Sequence, residues 1–241
     1  MRPPLVTLTS DFGAGSPYVA IMKARVLAAC PEAVLVDVSH SIPPFDIPSA
    51  QFVVWAATSE FPSGSVHLVV VDPGVGSERR PVALELDGRW YVGPDNGVFD
   101  MVIAEARGPV RAVRLLRPAD ASATFEGRDV FAPAAGALAA GRPPESIGVP
   151  LEGEPVRLPP PPPSVLWIDN FGNLLTSLRP PVNGVRVGGR EVKTHSRTYS
   201  QAPAATPFFY VGSLGLIEVG LREGRADDLL GARPGSAVEA L

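Results

Sequence analysis

Val69-Val70-Val71-Asp72-Pro73-Gly74-Val75-Gly76-Ser77-Glu78-Arg79-Arg80 is the stretch on which the reading of this chain turns. An apolar run (Leu68 to Val71) stops abruptly at Asp72-Pro73-Gly74. A β-branched run without polar alternation predicts a strand buried on both faces. Its polar end then lies at a strand's carboxyl terminus, where open α/β sheets bind ligands. Pro73 fixes φ and Gly74 permits a tight turn, so Arg79 can fold back onto the Asp72 carboxylate. These residues alone leave two readings open: a structural ion pair closing a strand-to-strand turn, or a catalytic pair.

Strand and helix signals alternate around this stretch. Leu5 to Thr9 reads as a strand, and Ser16-Pro17 as a helix start with Ser at the cap and Pro at the first position. Val19, Met22, Val26 and Ala29 give that helix an apolar face, and Pro31 ends it. A second strand spans 33–38, and a second helix begins at Pro48. After the central strand, Val82 to Leu86 and Trp90 to Val92 form an antiparallel pair turning at Asp87-Gly88. A short helix to Ala106, a strand near 112–115 and a helix from about Arg128 to Gly141 complete an α/β, mainly parallel, Rossmann-like domain. Pro159 to Pro163 is an unbroken run, expected to be an extended spacer. Beyond it, short strand candidates at 165–168, 185–187, 191–193, 208–211 and 216–219 predict a small all-β barrel. The expected organisation is 1–158, a linker at 159–163, and 164–241.

Composition narrows the class. Of 241 residues 45% are hydrophobic and 19% charged, enough for a core and unlike a disordered chain. A formal charge of -4 offers no basic footprint for nucleic acid. The apolar runs are too short to span a bilayer, and Met1-Arg2-Pro3-Pro4 leads straight into a strand-like segment, so neither a membrane anchor nor a signal peptide is expected. One cysteine, Cys30, excludes an intramolecular disulfide and fits a reducing, cytoplasmic compartment. His40, His67 and His195 have no metal-ligand spacing, and no metal site is expected. The dinucleotide glycine fingerprint and the G-x-S-x-G serine elbow are both absent.

Other polar residues fall at strand ends. Asp11, in TLTSDFG, can accept two hydroxyl hydrogen bonds from a sugar diol, or serve as a turn residue. Gly93-Pro94-Asp95-Asn96-Gly97 reads as a structural turn. Glu126, in TFEGRD, is a surface carboxylate by residue type, and Asp129 suits a helix N-terminus. Asp169-Asn170-Phe171-Gly172-Asn173 reads as a turn or a ligand edge.

TLTSDFG, VVVDPGVGSERR, VGPDNG, TFEGRDVFAPAA, WIDNFGN and YVGSLGLIEV, in this order from Thr7 to about Gly231, resemble the S-adenosyl-L-methionine (SAM) hydroxide adenosyltransferase family. These are SAM hydrolases, related in fold to the SAM-dependent fluorinating and chlorinating enzymes. The resemblance implies displacement at the ribose C5′ of SAM by water or hydroxide, giving adenosine and methionine with no cofactor. It also implies an α/β domain, a β-barrel domain, and a homotrimer with substrate between subunits. Carried over, Asp11 binds the ribose hydroxyls and Phe45 packs near the ribose and adenosyl group. Asp169, Phe171 and Asn173 meet the methionine part and adenine, and Ser213 and Glu218 match the last binding segment. Asp169 and Glu218 suit the methionine ammonium, a charge that needs acceptors when desolvated.

The family's catalytic set is Asp, Arg and the His of TFHGRD. Asp72 and Arg79 match it, and the histidine is replaced by Glu126. The leaving group is a neutral thioether, so no general acid is required, and Glu126 is expected to orient water as the base. Two alternatives follow. A halogenase would place a halide near two carboxylates, whose mutual repulsion at about 4 Å is already several kcal/mol at intermediate dielectric. A non-catalytic SAM or adenosine binder would owe its silence to the lost histidine.

Overall fold

The computed structural model describes residues 3–241. The chain divides into two compact units, one ending at Leu158 and one running from Pro159 to Leu241.

The first unit is built on a seven-stranded sheet. Its strands are β1 (Leu5–Ser10), β2 (Val34–Ser39), β3 (Val66–Val70), β4 (Pro81–Leu86), β5 (Arg89–Pro94), β6 (Arg111–Leu115) and β7 (Gly148–Pro150), in the order β2-β1-β3-β5-β4-β6-β7. β3 is buried along its whole length, as its apolar run predicts. Its side chains divide between two cores, as a pleated strand requires. Val66, Leu68 and Val70 join Val6, Leu8, Met22, Val26 and Phe131 on one face. Val69 and Val71 join Ala50, Val54, Leu84, Tyr91 and Phe99 on the other. Helices α1 (Pro17–Ala29) and α4 (Ala132–Ala139) belong to the first face, and α2 (Ile47–Thr58) and α3 (Asp100–Glu105) to the second.

The local signals act as their chemistry requires. Ser16 caps α1 by accepting from the Tyr18 N–H, and Asp46 caps α2 by accepting from the Ser49 N–H. Asp87-Gly88 turns β4 into β5 with both residues at positive φ.

The mainly parallel sheet expected is present in part, and the expected antiparallel pair at Asp87-Gly88 is present as β4 and β5. β2, β1, β3 and β5 pair in parallel, but β4 pairs with β5 and β6, and β6 with β7, antiparallel. The tight hairpin at Asp87-Gly88 reverses the chain, and every strand added beyond it inherits the alternation. Two reversals make β6 run in the same direction as β5 and β3. The loops leaving β1, β2, β3 and β6, and the loop entering β4, therefore all open at one end of the sheet.

The stretch from Pro150 to Leu158, which lacks apolar periodicity, is nonetheless tied to the sheet. Arg80 donates to Asp95 at 2.7 Å and to the carbonyls of Glu152 and Glu154. Asp95 accepts the Val156 N–H at 2.7 Å, and Asp100 accepts the Leu158 N–H at 2.6 Å. The GPDNG turn is a clamp on the end of this unit. Pro159 to Pro163 is exposed and carries no regular structure.

The second unit is a small all-β region. β12 (Pro207–Val211), β13 (Ile217–Leu221), β9 (Leu174–Thr176) and β8 (Val165–Ile168) form one antiparallel sheet. β11 (Arg190–Val192), β10 (Val185–Val187) and β14 (Val238–Ala240) form another. Where a barrel is expected, the strands form two sheets bridged at their edges: Val165 N–H donates to the Ser236 carbonyl at 2.8 Å, Val238 N–H to the Pro163 carbonyl at 3.0 Å, and Phe209 N–H to the Thr194 carbonyl at 2.9 Å. Val165, Leu174, Val187, Phe209, Ile217 and Val219 contribute to their shared core. The short helix α5 (Ala226–Leu230) ends at Gly231.

Candidate active site

Asp72 follows β3, Arg79 precedes β4 and Glu126 follows β6, so topology delivers all three to the same end of the sheet. Arg79 donates from Nε to Asp72 Oδ1 at 2.9 Å and from Nη2 to Asp72 Oδ2. Its Nη2 also lies 2.6 Å from Glu126 Oε2, as an ion contact rather than an aligned hydrogen bond. The three side chains are only 9%, 5% and 5% exposed for Arg79, Asp72 and Glu126. Burial opposes the charge on Arg79, but the two carboxylates outweigh it and raise its affinity for the proton above the ordinary arginine value. The Arg79 guanidinium also lies 5.2 Å from the centre of the Phe131 ring.

The turn that makes this possible depends on Gly76. It sits at φ 78°, and a Cβ there would come within 2.6 Å of the Ala123 carbonyl oxygen. Glu126 is placed by a different device. A π-helical turn, Gly127–Phe131, runs into α4, where a continuous α-helix from about Arg128 is expected. Wide turns of this kind occur often at functional sites, because they re-aim the residues at the start of a helix.

Asp72 and Glu126 open onto a cavity of about 250 Å³ that Asp11, Phe12, Phe45 and Phe125 also line. Arg79 stands behind the two carboxylates. Asp11 accepts the backbone N–H of Phe45 at 2.9 Å, and Phe45 is 68% exposed with φ 66°. A second network braces this edge. Ser10 Oγ lies 2.7 Å from His40 Nδ1, and His40 Nε2 lies 3.0 Å from Asp37, which also binds Lys23. A serine, a histidine and an aspartate thus meet, but Ser10 is fully buried, and the network ties the loop after β2 to the end of β1.

The second unit holds a cavity of about 610 Å³. Asp169, Phe171, Asn173, Ser213 and Glu218, the residues singled out from sequence there, all line it. Asp169 accepts from the Phe171 and Asn173 backbone N–H groups at 2.9 Å and from the Asn173 side chain at 2.7 Å, so it also shapes the turn. Glu218 accepts from the Tyr210 hydroxyl at 2.6 Å, and Tyr210 meets the Tyr199 hydroxyl. Burial raises the Glu218 carboxyl, the Tyr210 bond opposes this, and the Asp169 charge adds to it, with a net upward shift. Gly212 makes room for this carboxylate, since any Cβ there would collide with Glu218 Oε1.

Sequence reasoning missed Arg117, Tyr199 and Tyr210. Arg117 donates from Nε to Glu126 Oε1 at 2.7 Å and from Nη2 to the Arg79 carbonyl at 2.7 Å. An arginine nine residues before Glu126 carries no spacing signal, and only the path of the chain brings it there. Among the described residues no group of three or more His, Cys, Asp or Glu side chains could hold a metal ion. Nor is any described helix long and apolar enough to cross a membrane.

Ionic side chains gathered at the strand ends of a mixed α/β sheet, with a separate small β unit following, define a two-unit α/β protein with a cavity in each unit. Residues 6–148 match the SAM hydroxide adenosyltransferase N-terminal domain, and residues 163–239 match the C-terminal domain of the same description. The chain belongs to the SAM hydroxide adenosyltransferase family. An (R)-S-adenosyl-L-methionine hydrolase from Thermus thermophilus is 45% identical over the whole of both chains. A fluorinase from Actinoplanes sp. is more distant, 30% identical over 73% of this chain and 72% of its own. The crystal structure of an uncharacterized conserved protein from Thermotoga maritima superposes with a TM-score of 0.88 at 30% identity, covering 98% of this chain and all of that one.

Proposed function

We propose that this protein hydrolyses S-adenosyl-L-methionine to adenosine and L-methionine. The observation that carries this reading is the buried Asp72–Arg79–Glu126 cluster on the wall of a cavity, in a chain 45% identical along its full length to an (R)-SAM hydrolase. The oxygen of water attacks the ribose C5′, and the C5′–S bond breaks with its electron pair passing to sulfur. Methionine leaves as a neutral thioether, and a proton from the water is released. The sulfonium is already an activated leaving group, so the reaction needs no cofactor and no metal.

Asp72, Arg79 and Glu126 are the catalytic set. Glu126 has each oxygen against a guanidinium, but a carboxylate offers about four lone-pair sites, so it can still accept a hydrogen bond from the attacking water. Its role is to orient that water rather than to compete with a free base. Asp11 binds the ribose hydroxyls and Phe45 covers the sugar. In the second unit Asp169 and Glu218 receive the methionine ammonium, whose charge offsets the cost of ionising a buried Glu218, and Phe171, Asn173 and Ser213 complete the adenine and methionine contacts. A homotrimer in which neighbouring subunits share sites belongs to this proposal through the family resemblance alone. The lone Cys30, buried and free, supports a cytoplasmic location.

The name of the Thermus relative specifies the (R) sulfonium, and we assign the same epimer to this protein as its preferred substrate. The test is incubation of purified protein with each sulfonium epimer, with and without chloride, followed by separation of the adenosyl products. Adenosine and methionine in equal amounts, faster from the (R) epimer and absent with Asp72→Ala, is the expected result. A chlorinated nucleoside would establish the halogenase reading instead, and tight binding without product would establish a SAM binder.

A further inference from the structure

Glu126 stands where the family motif has histidine, and replacing a histidine by a second carboxylate changes the charge of the site. Asp72, Arg79 and Glu126 alone sum to one negative charge, in a cluster whose side chains are nine-tenths buried or more. A buried excess charge of that kind is costly. Arg117 removes it. Its Nε takes Glu126 Oε1 at 2.7 Å, which leaves Oε2 for Arg79, and its Nη2 takes the Arg79 carbonyl. One side chain from the end of β6 thus fixes the Glu126 carboxylate and the backbone of its partner arginine together.

We infer that Arg117 is a positioning residue of the hydrolytic site, acting through Glu126, and that it is what makes a carboxylate workable at that position. This rests on the proposed SAM hydrolase reading. The charged groups around Glu126 are Arg79, Arg117 and, through Arg79, Asp72; Asp11 shares the cavity. On the helical turn that follows, Arg128 and Asp129 neutralise each other. The quartet Asp72, Arg79, Arg117 and Glu126 is therefore neutral, and removing Arg117 leaves it negative.

The test compares wild type with Arg117→Gln, Arg117→Lys, Glu126→Gln and the double variant Arg117→Gln/Glu126→Gln. The reading is kcat for SAM hydrolysis against pH, together with Tm against pH on the same proteins. Excess negative charge favours proton binding, so the acid limb of kcat in Arg117→Gln should move up by about one pH unit, an order-of-magnitude shift for a lost neighbouring charge. Arg117→Lys keeps the charge and loses the second tether, so its acid limb should stay at the wild-type position while kcat falls. Glu126→Gln and the double variant lack the carboxylate placed at the attacking water, so they are read by Tm alone. A limb that does not move in Arg117→Gln, or that moves equally in Arg117→Lys, overturns the inference. If wild type makes no adenosine at any pH, the hydrolase reading fails, and the Tm profiles still test the charge quartet. A Tm deficit in Arg117→Gln that grows with pH and vanishes in the double variant supports it, and parallel profiles overturn it.

Discussion

Phe45 donates its backbone N–H to the Asp11 carboxylate at 2.9 Å while held at φ 66°. A bulky residue in the left-handed region costs of order 1–3 kcal/mol and persists only when its surroundings enforce it. Here the enforcing partners are Asp11 and the braced loop after β2. Strain of this kind at a cavity mouth is consistent with an aromatic ring set in place before substrate arrives.

Phe45→Gly separates strain from contact. Glycine accepts the left-handed conformation freely, so the variant should melt no lower than wild type while its KM for SAM rises several-fold. Calorimetry and steady-state kinetics on the same preparation check both halves. A fall in Tm would show that the ring contributes more to packing than the strain costs.

Asp72→Asn should destabilise the first unit by about 3 kcal/mol, the usual cost of stripping one partner from a buried ion pair. It should also abolish detectable hydrolysis. Asp72→Asn/Arg79→Met removes the stranded charge and should recover part of the stability with no recovery of activity. Urea denaturation of the two variants measures the difference.

Glu218 gives a pH signature. Its folded carboxyl is raised above the ordinary glutamate value, first by burial, so its contribution to stability is fully present below that value and is lost as pH rises through the folded one. Glu218→Gln should therefore raise Tm relative to wild type at neutral pH, with the advantage shrinking in acid. The same substitution should weaken SAM binding, because the ammonium loses a charged acceptor. A Tm difference that grows towards low pH would contradict the assignment.

Asp95→Ala should free the end of the first unit. It removes the acceptor for Val156 N–H and the partner of Arg80, which itself holds the Glu152 and Glu154 carbonyls. Limited proteolysis should cut between Glu152 and Leu158 at least several-fold faster than in wild type.

The sequence by itself determined the strand at Val66–Val70, the cap at Ser16, the hairpin at Asp87-Gly88 and the return of Arg79 to Asp72. In each case the signal and the contact lie within about ten residues, and local chemistry is enough. The ordered motifs also carried the family resemblance, and with it Asp11, Phe45, Glu126 and, in the second cavity, Asp169, Phe171, Asn173, Ser213 and Glu218. Only the tertiary structure decided that β6 and β7 continue the alternation beyond the β4–β5 hairpin, how the edges of the two sheets of the second unit meet, and that β7, β9 and β14, three residues each, exist as strands. Such short segments have almost no propensity of their own and are made by their neighbours' hydrogen bonds. Arg117 belongs to the same class. Its partnership with Glu126 and Arg79 spans separations of 9 and 38 residues and arises because two reversals of the sheet bring the end of β6 beside the start of β4. A charge is local in the sequence, but its electrostatic partners are fixed only by where the chain folds.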